Sequence, residues 1–162
     1  MPTPDISQIK QLYSQYPTGV AVVTTLDDQR RPSGMTVSSF AAVSLTPPLI
    51  SWCIDKHANL FDVFERTTHF CVHILRADQA DLSNIFATEA EDRFAGLSWS
   101  AGLGGVPVLT DCLASMECVM EVSHLIGDHQ LIVGRIEGAV INQGQSPLAY
   151  CKGRYWTLTD NG

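Results

Sequence analysis

Paired cysteines, clustered histidines and nucleotide-binding loops are all missing from this sequence of 162 residues. The five cysteines (Cys53, Cys71, Cys112, Cys118, Cys151) are odd in number, and none belongs to a CxxC pair. The opening MPTPDISQIK lacks the basic and apolar regions of a secretory leader, so neither a disulfide framework nor a zinc site is expected. Most of the cysteines read as small core residues. The five histidines show no HExxH or comparable spacing, so no metal is expected. A GxxxxGK phosphate loop is absent, and GLGG at 102–105 has neither the spacing nor the following helix of a dinucleotide loop. No GxSxG elbow supports a hydrolase triad. Positive charge is scarce. Ten Lys and Arg against seventeen Asp and Glu give a net charge of −7, which argues against a nucleic-acid binder held by phosphate contacts. Every apolar run is broken by Ser, Thr, Pro or Gly short of a membrane span, and the cytoplasm is the expected location.

With 45% apolar and 17% charged residues, the chain reads as one globular domain over 1–162, long enough to bury a core without staples. Ile6, Ile9, Tyr13 and Tyr16 recur at helical spacing, with Asp5 placed as N-cap and Pro17 as stop. Strands are expected at 19–26, through GMTVSSFAAVSL, and at 49–55, 69–75, 116–122, 130–141 and the terminal YWTL. ANLFDVFER (58–66) and ADQADLSNIFA (77–87) each carry apolar residues on one face and read as short helices, while 88–112 reads as loop. Six or so successive strands, not alternating one-for-one with helices, favour a mainly β, antiparallel barrel with a few helices outside.

Gly34-Met35-Thr36-Val37-Ser38-Ser39-Phe40 puts small hydroxyls inside a β segment, where a packed core would use larger apolar groups. A flat polar ring lying on that surface would account for them. The strand-to-helix turn Asp55-Lys56-His57-Ala58-Asn59-Leu60 offers free amides and local positive charge to an anion; a solvated, capped loop is the other reading. Gly127-Asp128-His129 has the residues of a hairpin turn, with His129 as its unusual member. Glu89, Glu91, Asp92 and Arg93 read as a solvated loop from which Arg93 could reach a phosphate. Met116 and Met120 read as core, and Asp160 with the last residues as a frayed end.

Together these pieces resemble the flavin reductase family, the small reductase components of two-component flavin monooxygenases. The resemblance runs from Tyr16-Pro17-Thr18-Gly19-Val20 to Lys152-Gly153-Arg154-Tyr155. It rests on PTGVAVVTT, GMTVSSFAAVSLTPPLI, DKHAN, SNIFA, EDRFAG, GDH and KGRY in that order. It implies an FMN-binding split β-barrel, usually a homodimer, with flavin in a groove near the subunit interface. By the same resemblance Met35, Thr36, Val37, Ser38 and Ser39 lie along the isoalloxazine ring, and Cys53, Ile54 and Asp55 border its other side. Lys56, Ala58 and Asn59 meet the phosphate, Phe86 packs on the ribityl chain or an adenine, and Arg93 is a further phosphate contact. His129 is carried over as a nicotinamide-binding residue and Tyr155 as its neighbour.

The implied chemistry is hydride transfer from C4 of NADH or NADPH to flavin N5, with FMN preferred over FAD. The cofactors carry the electrons, so no catalytic side chain is required. Reduced flavin would pass to an oxygenase partner. The rival readings are an FMN-binding split-barrel oxidoreductase acting on another substrate, and a non-enzymatic flavin-binding module.

Overall fold

Asp5 starts the first helix, α1 (Ile6–Ser14), through a reciprocal cap: its carboxylate accepts from the Gln8 amide at 2.8 Å, and Gln8 Oε1 accepts from the Asp5 amide at 3.1 Å. The computed structural model describes residues 3–89 and 92–158. The expected frayed end at Asp160, and Glu91 of the expected loop, lie outside the described residues.

Twelve strands follow among the described residues. They are β1 (Thr18–Gly19), β2 (Ala21–Leu26), β3 (Pro32–Val37), β4 (Ala41–Leu45), β5 (Pro48–Asp55), β6 (His69–Ile74), β7 (Trp99–Ala101), β8 (Pro107–Leu109), β9 (Ala114–Ile126), β10 (His129–Ile141), β11 (Leu148–Cys151) and β12 (Arg154–Thr157). Two further helices, α2 (Phe61–Arg66) and α3 (Ala80–Ala87), interrupt them. Seven strands form the main antiparallel sheet in the order β3-β2-β6-β9-β10-β5-β4. A three-stranded sheet, β1-β11-β12, and the β7–β8 pair complete the fold. The architecture is mainly β with few helices, as expected, and has more strands than the sequence pattern indicated.

Three segments differ from expectation. The single strand read through GMTVSSFAAVSL is two, broken at Ser38-Ser39-Phe40. Part of the expected loop 88–112 pairs as β7 and β8, and β11 was not anticipated.

β2 explains how the core is divided. A strand covered on both faces reads as a continuous apolar run, and AVVTT is buried throughout. Ala21 and Val23 point into the barrel with Trp52, Phe64 and Phe70, where Trp52 meets both phenyl rings edge-on at centroid distances of 4.9 and 5.9 Å. Val20 and Val22 point the other way, joining Leu75, Phe86, Phe94 and Leu148 in a second cluster beneath α3. His73 lies fully buried on β6, paired with Val22 of β2. Its Nδ1 is 3.1 Å from Val22 O and its Nε2 accepts the Leu109 amide at 3.0 Å, so the ring is neutral with its proton on Nδ1. Burial lowers its pKa to about 4. This ring ties β6 to β2 and β8 and closes the seam under the second cluster.

Candidate functional site

A half-open cavity of about 360 Å³ lies where β3, α3, β11, β12 and the turn before α2 meet. Gly34 makes that meeting possible: a side chain there would come within 2.9 Å of the Phe86 ring, which α3 presses against β3. Thr36 then donates to Ser83 O at 2.7 Å, and Arg93 donates to Gly34 O at 3.1 Å and Thr88 O at 2.8 Å. The wall between β3 and α3 is therefore braced by polar bonds above an aromatic floor.

Nine of the residues singled out from the sequence line this cavity: Met35, Thr36, Val37, Ser38, Ala58, Asn59, Phe86, Arg93 and Tyr155. They come from five separate stretches of the chain. Six others are not among its lining: Ser39, Cys53, Ile54, Asp55, Lys56 and His129. Ser39 stands at the break between β3 and β4. Its hydroxyl accepts from the Cys53 amide at 2.9 Å and lies 3.2 Å from Cys53 O, taking the place of a ladder residue beside β5. The hydroxyls of Thr36 and Ser39 thus bond to the chain itself, and Ser38 is the hydroxyl of this stretch on the cavity with no protein partner among the described residues. Ile54 is buried in the barrel core, and burial raises the pKa of the half-buried Cys53 thiol.

The turn after β5 is held by its own bonds. Asp55 accepts from the His57 amide at 2.8 Å, and the Lys56 amide donates to Asp128 O at 2.9 Å. These two amides are accordingly not free for an anion; Ala58 and Asn59, further along, reach the cavity. Gly127 turns β9 into β10 with φ of +64°, a conformation a side chain would strain. His129 opens β10 directly opposite Asp55, with its Nδ1 2.8 Å from the Asp128 carboxylate. That hydrogen bond holds the Asp128 carboxyl below the usual carboxylate range.

Tyr155 enters the cavity from the far side. Its hydroxyl lies 2.9 Å from both Ser83 Oγ and Asn84 Oδ1 on α3. Its ring meets Tyr150 edge-on, with centroids 5.5 Å apart.

Sequence reasoning missed Val20, Leu60, Ser83, Ala87, Glu89 and Tyr150, all of which line the cavity. Two of them had a signal. Ser83 is one helical turn before Phe86 and shares its face. Tyr150 sits opposite Tyr155 across the hairpin at Lys152-Gly153, whose φ values of 52° and 74° match a tight two-residue turn. Glu89 was read as solvated loop and is both exposed and on the cavity rim.

A part-apolar wall with hydroxyl and guanidinium donors unused among the described residues suits a planar heterocycle bearing a phosphate, so the lining residues fit a flavin nucleotide. The architecture, a β-barrel with a groove at its side, is the class of fold shared with solved flavin reductases. The NADH:FAD oxidoreductase SgcE6 of Streptomyces globisporus C-1027, solved with NAD and FAD fragments, superposes with a TM-score of 0.90 at 30% identity, covering 97% of this chain and 94% of that one. Residues 13–159 match the family model described as "Flavin reductase like domain". The chain belongs to the flavin reductase-like domain family.

Curated relatives agree. The FMN reductase (NADH) SmoA of Agrobacterium fabrum is 41% identical over 86% of this chain and 79% of its own length. The reductase subunit HsaB of a flavin-dependent monooxygenase from Rhodococcus jostii is 35% identical over 93% of this chain and 77% of its own. Another relative, from Rhizobium meliloti, is 37% identical over 94% of this chain, and the match spans only 49% of that longer protein. Among the described residues no helix is long and apolar enough to cross a membrane.

Proposed function

We propose that the protein is an NAD(P)H-dependent flavin reductase that prefers FMN to FAD and hands reduced flavin to an oxygenase component. The observation that carries this reading is the cavity wall of a flavin reductase-like barrel, where Ser38 and Arg93 keep donors unused among the described residues. When bound, the flavin supplies a two-electron acceptor and the reduced nicotinamide supplies the hydride.

The chain's own work is binding, alignment and exclusion of water. Met35 to Ser38 form a surface on which a flat ring can lie, with Phe86 beneath and Tyr155 opposite. Ser38 donates to the polar edge of the ring. Arg93, already fixed by two backbone carbonyls, presents its remaining guanidinium N–H groups to the phosphate, and Asn59 adds an amide. Ser39, Cys53, Ile54, Asp55 and Lys56 act from behind by shaping β5 and the turn that follows. His129 binds the nicotinamide from the hairpin tip, where the Asp128 carboxylate orients its ring. The FMN preference rests on the name of one relative, FMN reductase (NADH). The oxygenase partner rests on the reductase-subunit names of others. The protein acts in the cytoplasm as a homodimer.

Replacement of His129 tests the roles assigned here. His129→Ala raises the KM for reduced nicotinamide while FMN binding, followed by flavin fluorescence, stays nearly intact. Equal loss of both would contradict the role of His129. A protein that binds FMN but oxidises neither NADH nor NADPH would be a flavin-binding module instead.

A further inference from the structure

Ser83 stands at the back of the cavity and is fully buried. A hydroxyl so completely withdrawn from water costs stability unless it is bonded. Ser83 has bonds in two directions. Its carbonyl oxygen accepts the Thr36 hydroxyl at 2.7 Å, and its own hydroxyl lies 2.9 Å from that of Tyr155. The phenol also lies 2.9 Å from Asn84 Oδ1. One phenolic proton cannot serve both neighbours. Asn84 Oδ1 can only accept, so it takes the Tyr155 proton, and the Ser83 hydroxyl donates to the Tyr155 oxygen.

These bonds join parts of the fold that share no ladder. Thr36 lies on β3, an edge strand of the seven-stranded sheet, and Tyr155 lies on β12, an edge strand of the three-stranded one. The small sheet is fastened near the start of β11, where the Leu148 amide donates to Leu75 O at 2.9 Å, and at its turn, where the Lys152 amide donates to Ser14 O at 2.9 Å. Between those points the Tyr155 phenol supplies the hydrogen bonds from the hairpin to α3 among the described residues. α3 in turn has no play against β3, because the Phe86 ring fills the space over Gly34. Ser83 thus bridges the two walls of the cavity, one through its backbone and the other through its side chain.

We infer that Ser83 is a positioning residue: it sets the gap between the wall at Met35 to Ser38 and the wall at Tyr155, and with it how closely two stacked rings approach. The inference rests on the reductase reading above and adds a residue to which that reading gives no role. Both polar groups of Ser83 are spent on the protein, so it acts through Tyr155 rather than on a ligand. The step it serves moves one hydrogen with two electrons: the C4–H bond of the reduced nicotinamide breaks, the N5–H bond of the flavin forms, and the nicotinamide is oxidised as the flavin is reduced. That transfer needs its reacting atoms about 3–3.5 Å apart, and a misplacement of about 1 Å costs on the order of a hundredfold in rate. Flavin affinity depends far less on the gap, because Arg93 and the β3 wall hold the flavin from one side. Burial also separates the two partners of Tyr155. Water can replace the exposed Asn84 but cannot reach the place of the Ser83 hydroxyl.

The test compares wild type with Ser83→Ala, Tyr155→Phe, the two combined, and Asn84→Ala. Ser83→Ala keeps the helix and the Thr36 bond, and Tyr155→Phe keeps the ring. In single turnovers with FMN and reduced nicotinamide saturating, the rate of flavin reduction should fall about tenfold in either single variant. It should fall no further in the combined variant, because both changes cut the same bond. Asn84→Ala should lose about twofold or less, and FMN affinity, read by flavin fluorescence, should move by less than about threefold throughout. A second readout needs no flavin: amide hydrogen exchange in β11 and β12 should quicken about tenfold in Ser83→Ala and Tyr155→Phe, with β9 and β10 unchanged. An unchanged reduction rate in Ser83→Ala overturns the assignment, as do losses that multiply in the combined variant. FMN affinity falling in step with the rate overturns it too, since that pattern marks a purely structural role. Failure of the reductase reading looks different: wild type binds FMN and never reduces it, while hairpin exchange still quickens in both variants. The tie would then stand, and its part in hydride transfer would fall.

Discussion

The seam at His73 and the cavity wall at Arg93 are built from the same materials and end in opposite conditions. Each uses a nitrogen-rich side chain to bind backbone groups on two other segments. His73 joins Val22 O to the Leu109 amide, and Arg93 joins Gly34 O to Thr88 O. The imidazole has no hydrogen-bonding capacity left once both bonds are made, and it is fully buried. Among the described residues the guanidinium makes two bonds and retains further donors, on a half-open cavity. A polar side chain with its capacity exhausted is a structural tie, and one with capacity left over toward a cavity is a ligand group. The hydroxyls of GMTVSSF obey the same distinction: Thr36 and Ser39 are ties, and Ser38 is not.

Removal of the seam should have the largest effect. His73→Ala leaves a buried carbonyl and amide without partners and a cavity in place of the ring, and should cost about 4 kcal/mol of stability. Denaturant unfolding checks this, and flavin affinity in the remaining folded protein should be nearly unchanged. Acid acts on the same ring. In the unfolded chain a histidine takes up its proton near pH 6.5, while the folded ring resists protonation until about pH 4. The stabilisation is therefore complete above about pH 6.5 and lost as pH falls toward 4, by about 3 kcal/mol in all. Chemical denaturation at stepped pH should show that loss, and His73→Ala should flatten it.

The wall should behave in the reverse way. Arg93→Ala should weaken FMN binding by roughly ten- to a hundredfold, with a smaller change in melting temperature. The finest contrast lies between neighbours. Ser39→Ala should cost about 1 kcal/mol of stability through its lost bonds to Cys53, with little direct effect on flavin. Ser38→Ala should leave stability unchanged and weaken FMN binding by a few-fold. If the two serines exchanged these effects, the distinction between tie and ligand group would fail.

How much of this was legible in the sequence depends on whether the cause is local. α1 was readable because its cap and apolar spacing lie within a dozen residues. β9 and β10 were readable from alternation and the Gly127 turn between them. The break at Ser38-Ser39-Phe40 was not, because the residues favour a strand and the interruption depends on Ser39 bonding to Cys53, fourteen positions away. β11 is only four residues long, too short for a clear pattern of its own, and is held between β12, across the Lys152-Gly153 turn, and β1 from the opposite end of the chain. The cavity follows the same rule. Arg93 stood out as a cation in its own loop and Phe86 through the family resemblance, whereas Glu89 and Tyr150 reach the cavity only once α3 and the β11–β12 hairpin are packed.

The most direct measurement is the initial rate of NADH oxidation in air by purified protein, as a function of added FMN and, separately, FAD. A rate that rises and saturates with flavin, reaching half-maximum at lower FMN than FAD, is the predicted result. Protein that binds FMN yet oxidises NADH no faster than free flavin does would contradict the account.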